Sequence, residues 1–487
     1  MTAAGPPAAT PPAADRPGPW SRLSDLLNPI LVREVQQAVK GRVFPATVLL
    51  ALAISVVIAV VVAAEYADGQ TGGSAFDAGF ATLIPLLVFV VPMQAYQSMR
   101  TELRGGIVEQ LLLSRLSPGA VLTGKLQAAM VQFVLYVSVL SPLLATSYLL
   151  RGVDLPTIAI SLGFALIVCV AATSFAVSSA AQAIVPALQP IANLGIAFGL
   201  GVATFALVGM VASGAYARGV GALLRSGQFS TVVSAIVLAA FLVTVLSWLA
   251  ARSFLLHAFE NKSTGFRLVL FALPPLVWGW MLAFVEPRDW AEAFPVLSLI
   301  LLGAGVVFGV FMVTEQAALS PRVRAHVPAG ALLAAVAAPF LPGRDRGMLC
   351  FVLYAGFVGL VAVAFWPDRA GFAGDMSNVL ARGGAMLLAY GVVYLAIGRW
   401  VRHRLPDTVQ GNALGRFVLP FVLFLACVLP LLVDLFAQGG VRSWHVGHVM
   451  NPFWTIERSI GMRWDDARPF VVGVLAVATL LQVPTFV

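Results

Sequence analysis

Blocks of about twenty apolar residues recur along the whole chain, each as long as a helix must be to cross roughly 30 Å of hydrocarbon. They are far longer than the ten-residue alternating strands of an outer-membrane barrel, so the spans read as helices. Of the 487 residues, 60% are apolar and 11% charged, against about half and a quarter in a soluble domain. A chain of this kind cannot hide its apolar surface in one water-facing globule, and the expected fold class is an all-α polytopic membrane protein. Cys169, Cys350 and Cys427 each fall inside an apolar block, which leaves neither a disulfide framework nor a clustered thiolate metal site. The net charge of +8 comes from 30 basic residues scattered over short loops. It therefore reads as topology, with no nucleic-acid partner.

Hydropathy places crossings near 44–64, 79–98, 119–149, 155–183, 190–213 and 229–250, and a second set near 268–285, 294–313, 347–366, 378–397, 417–436 and 469–487. That is about twelve in a 6+6 layout. Residues 1–19 are rich in Pro and Ala, lack the features of a signal peptide, and are expected to be a disordered tail. The second half is expected to run over 251–487. The segment 329–341 is apolar but too short to span, and reads as interfacial or re-entrant. With the N-terminus inside, about 20 of the 30 basic residues fall on the cytoplasmic side, as basic loops do. This orientation puts both termini in the cytoplasm. Glu65, Asp68 and Asp77 then lie in the first outer loop, and Arg442, Arg458, Arg463 and Arg468 form a basic exception before the last crossing.

Proton pumps and ion-coupled carriers need ionisable groups at membrane depth. Here Lys125, Arg382, Arg416 and Asp434 all fall within a turn or two of a span end. Long side chains can snorkel from there, and Asp434 can reach headgroups. Energy for uphill movement is thus expected from outside the bilayer. Gly119 to Lys125 matches the spacing of a phosphate loop, but Leu126 stands where Ser or Thr must hold magnesium, and no strand precedes it. Ser117 and Pro118 read instead as the N-cap and first residue of a helix. No cofactor is expected.

Two segments carry chemical information. Asn28-Pro29 is an N-cap followed by Pro at the first helical position, and it opens an amphipathic elbow within 20–43. Arg33, Gln36, Gln37 and Lys40 lie on one face, with Leu31, Val35, Ala38 and Val39 opposite, as in a helix lying in the headgroup plane. After the second crossing, Gly105-Gly106 permits a sharp turn, and Ser117-Pro118 closes a short helix. Its polar edge is Glu109, Gln110 and Arg115, and its apolar edge Leu111, Leu112 and Leu116. A short helix held between two spans can dock in a groove on a partner; the alternative is a loop helix lying idle on the membrane.

These residues resemble the integral-membrane permease subunit of type-2 ATP-binding-cassette transporters. The likeness rests on Asn28-Pro29 with Arg33-Glu34, on Glu102, Gly106, Glu109 and Leu111-Leu112, and on Leu116-Ser117-Pro118 with Gly124-Lys125. The family pattern is roughly E-R-E-x-G-T-L-E-x-L-L-x-T-P-L-S followed by Gly-Lys. Here Ile107 and Val108 replace its Thr-Leu and Arg115 its Pro. The likeness covers about the first 260 residues, which include the elbow and a first permease half over 44–250. It implies a coupling helix within 102–116 that rests on a separate ABC ATPase subunit through Glu102, Arg104, Glu109, Gln110, Leu112 and Arg115. It also implies an exporter in the lipid bilayer of a bacterial inner membrane, and not an enzyme.

The second half carries a fainter echo. Thr314-Glu315 with Leu319-Ser320-Pro321 repeats Thr101-Glu102 with Leu116-Ser117-Pro118 over a shorter interval, and Asn451-Pro452-Phe453-Trp454 is similar to the family's outer re-entrant turn. A shortened loop without a docking helix leaves room for a homodimer. Gly195, Gly199 and Gly201 read as generic helix packing or as a dimer seam. Gln127, Gln132, Thr173, Ser174, Ser178, Ser179, Gln182 and Asn193 read equally as a substrate path or as interhelical hydrogen bonds. Two other classes stay open. One is a membrane-embedded acyl or glycosyl transferase using His445, His448, Glu457, Asp465 and Asp466; the other is an ion-coupled carrier.

Overall fold

The computed structural model describes residues 28–66, 72–113, 116–150, 153–182, 189–256, 260–316, 319–325, 327–364, 383–406, 409–438 and 446–461, with positions 473, 476 and 477. The tail 1–19, Asp68, Arg115, Arg382, Arg442, His445, Arg463, Asp465, Asp466, Arg468 and nearly all of the expected crossing over 469–487 lie outside the described residues, as do the side chains of Glu65, Leu112 and Arg458. All regular structure among the described residues is helical, and eleven helices are long and apolar enough to cross a membrane. The chain is an all-α, multi-pass membrane protein. It divides into two compact units, Met1–Thr173 with Thr204–Arg218, and Ser174–Ala203 with Gly219–Val487.

The first unit opens with α1 (Pro29–Lys40) and α2 (Val43–Tyr66). Next, α3 (Gly72–Pro85), a π-helical turn at Leu86–Val90 and α4 (Val91–Arg104) form one continuous rod. The π turn has a local cause. Pro92 has no N–H and its ring crowds the carbonyl four residues back; the ladder shifts register, and Val91 N–H donates to the Leu86 carbonyl. The rod runs to Arg104, beyond the expected end at 98, so the element expected over 102–116 contracts to α5 (Ile107–Leu113). Then follow α6 (Pro118–Leu149) and α7 (Leu155–Ala181). Ser117 caps α6 by accepting from Ala120 N–H at 3.2 Å, and the stretch Gly119 to Lys125 forms its first turns.

In this unit α3 packs on α6, α2 packs on both of them, and α1 packs on α6 and α2. Phe76, Phe80, Leu83, Leu87, Tyr136 and Leu140 fill the core. Asp77, expected in an outer loop, sits inside α3. There its carboxylate accepts from the backbone N–H of Ala217 at 3.0 Å, satisfying a donor in the first turn of a later helix.

The remaining helices are α8 (Gln189–Ala212), α9 (Tyr216–Arg225), α10 (Phe229–Leu255), α11 (Thr264–Phe284), α12 (Trp290–Val313), α13 (Pro321–Ala325), α14 (Ala331–Ala337), α15 (Arg344–Ala364), α16 (Gly384–Arg404), α17 (Val409–Gln438) and α18 (Pro452–Gly461). The second unit takes α10, which sequence alone placed in the first half. Its partner is the neighbouring α11: Thr231 Oγ1 donates to the Phe284 carbonyl at 2.5 Å and Trp280 Nε1 to Ser234 Oγ at 3.0 Å. At the centre, α12 packs against α11, α15 and α16. Gly347 lets α15 approach the backbone of α12 so closely that a Cβ there would lie 2.5 Å from the Met312 carbonyl oxygen. The short apolar segment at 331–340 is α14 followed by one 3-10 turn, Ala338–Phe340.

Burial is uneven in a way that fits lipid. In the rod 73–104, 61% of the most apolar window is buried by the protein, but in Val43–Val61 only 6%. An almost fully uncovered apolar helix is tolerable in hydrocarbon and not in water. Gly195, Gly199 and Gly201 meet no atom within 4 Å of where a Cβ would sit, so among the described residues they provide no close helix crossing.

Candidate functional site

Where α1, the end of α4 and the first turns of α6 meet, the first unit buries Glu34, Glu102 and Lys125, and Arg33, 32% exposed, closes the group from outside. Asn28 starts the arrangement. Its side chain accepts from Ile30 N–H at 3.0 Å and donates to the Ala120 carbonyl at 2.8 Å, so it both caps α1 and ties it to α6. Gly124 completes the fit, since a Cβ there would fall 2.8 Å from Ile30 Cβ. This close approach turns Ile30 and Glu34, one helical turn apart, into the protein.

Lys125 Nζ lies 2.6 Å from Glu34 Oε1 and 2.9 Å from Glu102 Oε2. The first is a well-formed hydrogen bond; the second is an ion pair whose alignment falls short of one. Arg33 donates to Glu102 Oε1 and stands 3.5 Å from Glu34. Ser98 Oγ accepts from Lys125 at 2.9 Å and donates to Glu34 Oε2, also at 2.9 Å. The Lys125 side chain is 1% exposed and that of Glu102 7%. Two cations and two carboxylates leave the cluster neutral, the condition under which buried charges are tolerated.

Glu102 was expected on the docking surface; it is buried here because the turn at Gly105-Gly106 comes after it. Lys125 was expected to snorkel, but Gly124 brings α1 over it and it pairs inside the protein. Arg104 lies on the exposed side of the same last turn. Gly106, at φ +67°, adopts the left-handed conformation that favours glycine and turns the chain into α5. Val108 anchors α5 at 2% exposure, whereas Glu109 and Gln110 face outward with Leu113, 80% exposed. Leu113 was not expected on this face; with Ile107 it supplies the exposed apolar component.

The arrangement is a joint. Charges from three separate helices meet at one point, and α5 continues from one of them through two glycines. The ion pairs tie α4, from which α5 continues, to α1 and α6. Ser98 is the member that sequence reading missed, and Glu34, named there only as part of the elbow, was given no partner. The only local signal was Glu34 four residues after Ile30, on the face opposite the exposed Gln36.

The second unit holds a different set. Arg267, fully buried, pairs with Glu315 at 2.8 Å and donates to the carbonyls of Pro339, Leu341 and Gly343. Arg402 Nε donates to the Thr314 carbonyl at 3.2 Å. Arg416 lies over the rings of Phe254 and Phe311 at 4.9 and 5.6 Å. Asp434, expected at headgroups, is buried and lies 2.9 Å from His448 Nε2. His448, a candidate base in the transferase reading, is itself wholly buried against Trp454; Glu457 is exposed. Every buried Asp, Glu, Lys or Arg among the described residues lies within about two turns of a helix end. Comparison with known proteins adds no relative: no family model, curated protein or solved structure matches the chain.

Proposed function

We propose that the chain is the permease subunit of an ABC exporter, forming the membrane path and coupling to a separate ATPase through α5. The observation that carries this reading is the neutral cluster of the partly exposed Arg33 with the buried Glu34, Glu102 and Lys125 at the root of a short, outward-facing helix. A helix idle on the membrane has no need of a charged joint. A helix that receives force does, because buried ion pairs resist being pulled apart. On this reading both termini and α5 are cytoplasmic in a bacterial inner membrane, and α1 is the elbow. The shorter interval in the second unit leaves room for a homodimer. The location of all buried charges near helix ends favours nucleotide energy over an ion-coupled cycle.

The test is co-purification with the ATPase encoded beside this chain. Glu109→Arg and Leu113→Arg each place a charge on the exposed face of α5 without touching the cluster. We expect both to abolish assembly and the stimulation of ATP hydrolysis. Retention of both properties in both variants would overturn the assignment.

A further inference from the structure

Beside the ion cluster, α1, the start of α2, α4 and α6 line a partly open cavity of about 210 Å³, far above the roughly 10–15 Å³ that one water needs. Gln132 lines it. The side chain is 7% exposed, and its Oε1 is buried with no hydrogen-bond partner. Gln94 lines it too, with Nε2 beside the Tyr136 hydroxyl but without the alignment of a hydrogen bond. Buried polar atoms in proteins are nearly always satisfied, so the acceptor Gln132 Oε1 left in a cavity marks the place of a guest.

The lining defines the guest's chemistry. An unpartnered carboxamide oxygen needs a donor, which excludes a bare anion. The charged residues in the wall, Glu34 and Lys125, neutralise each other at 2.6 Å, so no net field holds a free cation. Gln37, Gln97 and Ser98 add groups of both polarities near the mouth, and Val43, Val91 and Ala128 give an apolar side. Hydroxyl groups satisfy a donor and an acceptor at once, and the C–H faces of a polyol suit the apolar wall. We infer that this cavity binds a neutral, hydroxyl-rich group of glycerol to hexose size. Val43 begins a helix of membrane-spanning length, so the cavity opens where a lipid headgroup lies, and the group is either the headgroup of a glycolipid or a free polyol.

The test uses the full chain alone, purified in a polyoxyethylene detergent because sugar detergents would compete. Native mass spectrometry then scores adducts with monoglucosyl diacylglycerol, with methyl glucoside and with phosphatidic acid. We expect adducts with the glucolipid, weakened about tenfold by Gln132→Leu through loss of one hydrogen bond to the guest. Binding of methyl glucoside at similar strength would assign the site to a free polyol, and its failure to bind would assign it to lipid. If Gln132→Leu does not fold, Ala95→Leu, which fills the cavity from α4, must abolish the adduct. Absence of glucolipid and glucoside adducts, equal binding by the variants, or preference for phosphatidic acid would overturn the inference. Each outcome is independent of the ATPase assay.

Discussion

Glu102 and Glu315 each follow a threonine at the end of a long apolar helix, and each meets a buried cation, but they are built into their units differently. Glu102 faces Arg33, 69 residues earlier, and Lys125 from the next helix. With these two partners it ties three helices, α1, α4 and α6, together at one point. Glu315 faces Arg267, which spends its remaining donors on the carbonyls of Pro339, Leu341 and Gly343, and also accepts from Gly343 N–H at 3.0 Å. That site fastens one connecting segment to one helix. The same acidic residue at a helix end therefore makes a joint in the first unit and a staple in the second. The difference lies in whether the cation's other contacts are carboxylates on separate helices or backbone within one loop.

The comparison breaks most visibly at Lys125. Lys125→Met leaves two buried carboxylates with one guanidinium between them, and removing one partner of a buried ion pair typically costs about 3–5 kcal/mol. We expect a lower unfolding midpoint in detergent, together with faster hydrogen exchange across all of α1 and α4. Lys125→Met with Glu34→Gln restores neutrality around the Arg33–Glu102 pair and should regain more than half of the loss. If exchange in α1 stays at the wild-type rate in the single variant, the cluster is not a joint.

Arg267→Met gives the contrasting case. Buried carbonyls left unpaired cost about 1–3 kcal/mol each, but Glu315 is partly exposed and keeps its bond from Gly343. We expect a loss of about 3 kcal/mol, the lower end for three carbonyls, with accelerated exchange confined to 331–343. Arg267→Lys keeps the charge and loses the forked geometry, so it should fall between Met and the wild type. Spread of the effect to α16 would remove the distinction between staple and joint.

How much of this was legible in the sequence follows from the range of each interaction. The elbow and its Asn28 cap are local features, written within five residues, and the glycine turn before α5 is equally local. The spans were legible because twenty apolar residues have one stable fate in a bilayer. The end of the second span was not, because α4 keeps its helical hydrogen bonds through Thr101–Arg104 after its apolar character has ended. Glu34 and Lys125 are 91 residues apart and Asp77 and Ala217 140 apart. No periodicity connects such pairs, and a charge near a span end looks the same whether it snorkels to water or turns inward. Glu102 was misassigned for that reason.

Glycine sharpens the comparison at the next level. Gly124→Ala would place Cβ 2.8 Å from Ile30 Cβ, and Gly347→Ala 2.5 Å from the Met312 carbonyl oxygen. Overpacking costs about 1–3 kcal/mol. Because a carbonyl in a helix cannot rotate aside, Gly347→Ala should sit at the upper end. Gly124→Ala can be relieved by a slight outward shift of α1. Its stability loss should be the smaller of the two, yet it should disturb the Glu34–Lys125 contact, which Gly347→Ala leaves alone. Thermal unfolding ranks the first effect and exchange in α1 reads the second.

The smallest expected effect tests the Leu-Ser-Pro runs that the two units share. Ser117 Oγ accepts from Ala120 N–H at 3.2 Å and Ser320 Oγ from Val323 N–H at 3.3 Å, each with proline at the first helical position. Removing such a cap costs about 0.5–2 kcal/mol, but the helices that follow differ. α6 has 32 residues, and its packing against α1 and α3 holds it whether or not it is capped. α13 has five residues, too few to be stable without help. Ser117→Ala should therefore fray one turn at the foot of the joint, with no change in global unfolding beyond about 0.5 kcal/mol. Ser320→Ala should release 321–325 altogether, seen as cleavage at Arg322 or Arg324 by trypsin under conditions that spare the wild type. Equal trypsin resistance in the two variants would mean that α13 is held by its neighbours and not by its cap, and that the two runs are alike in sequence alone.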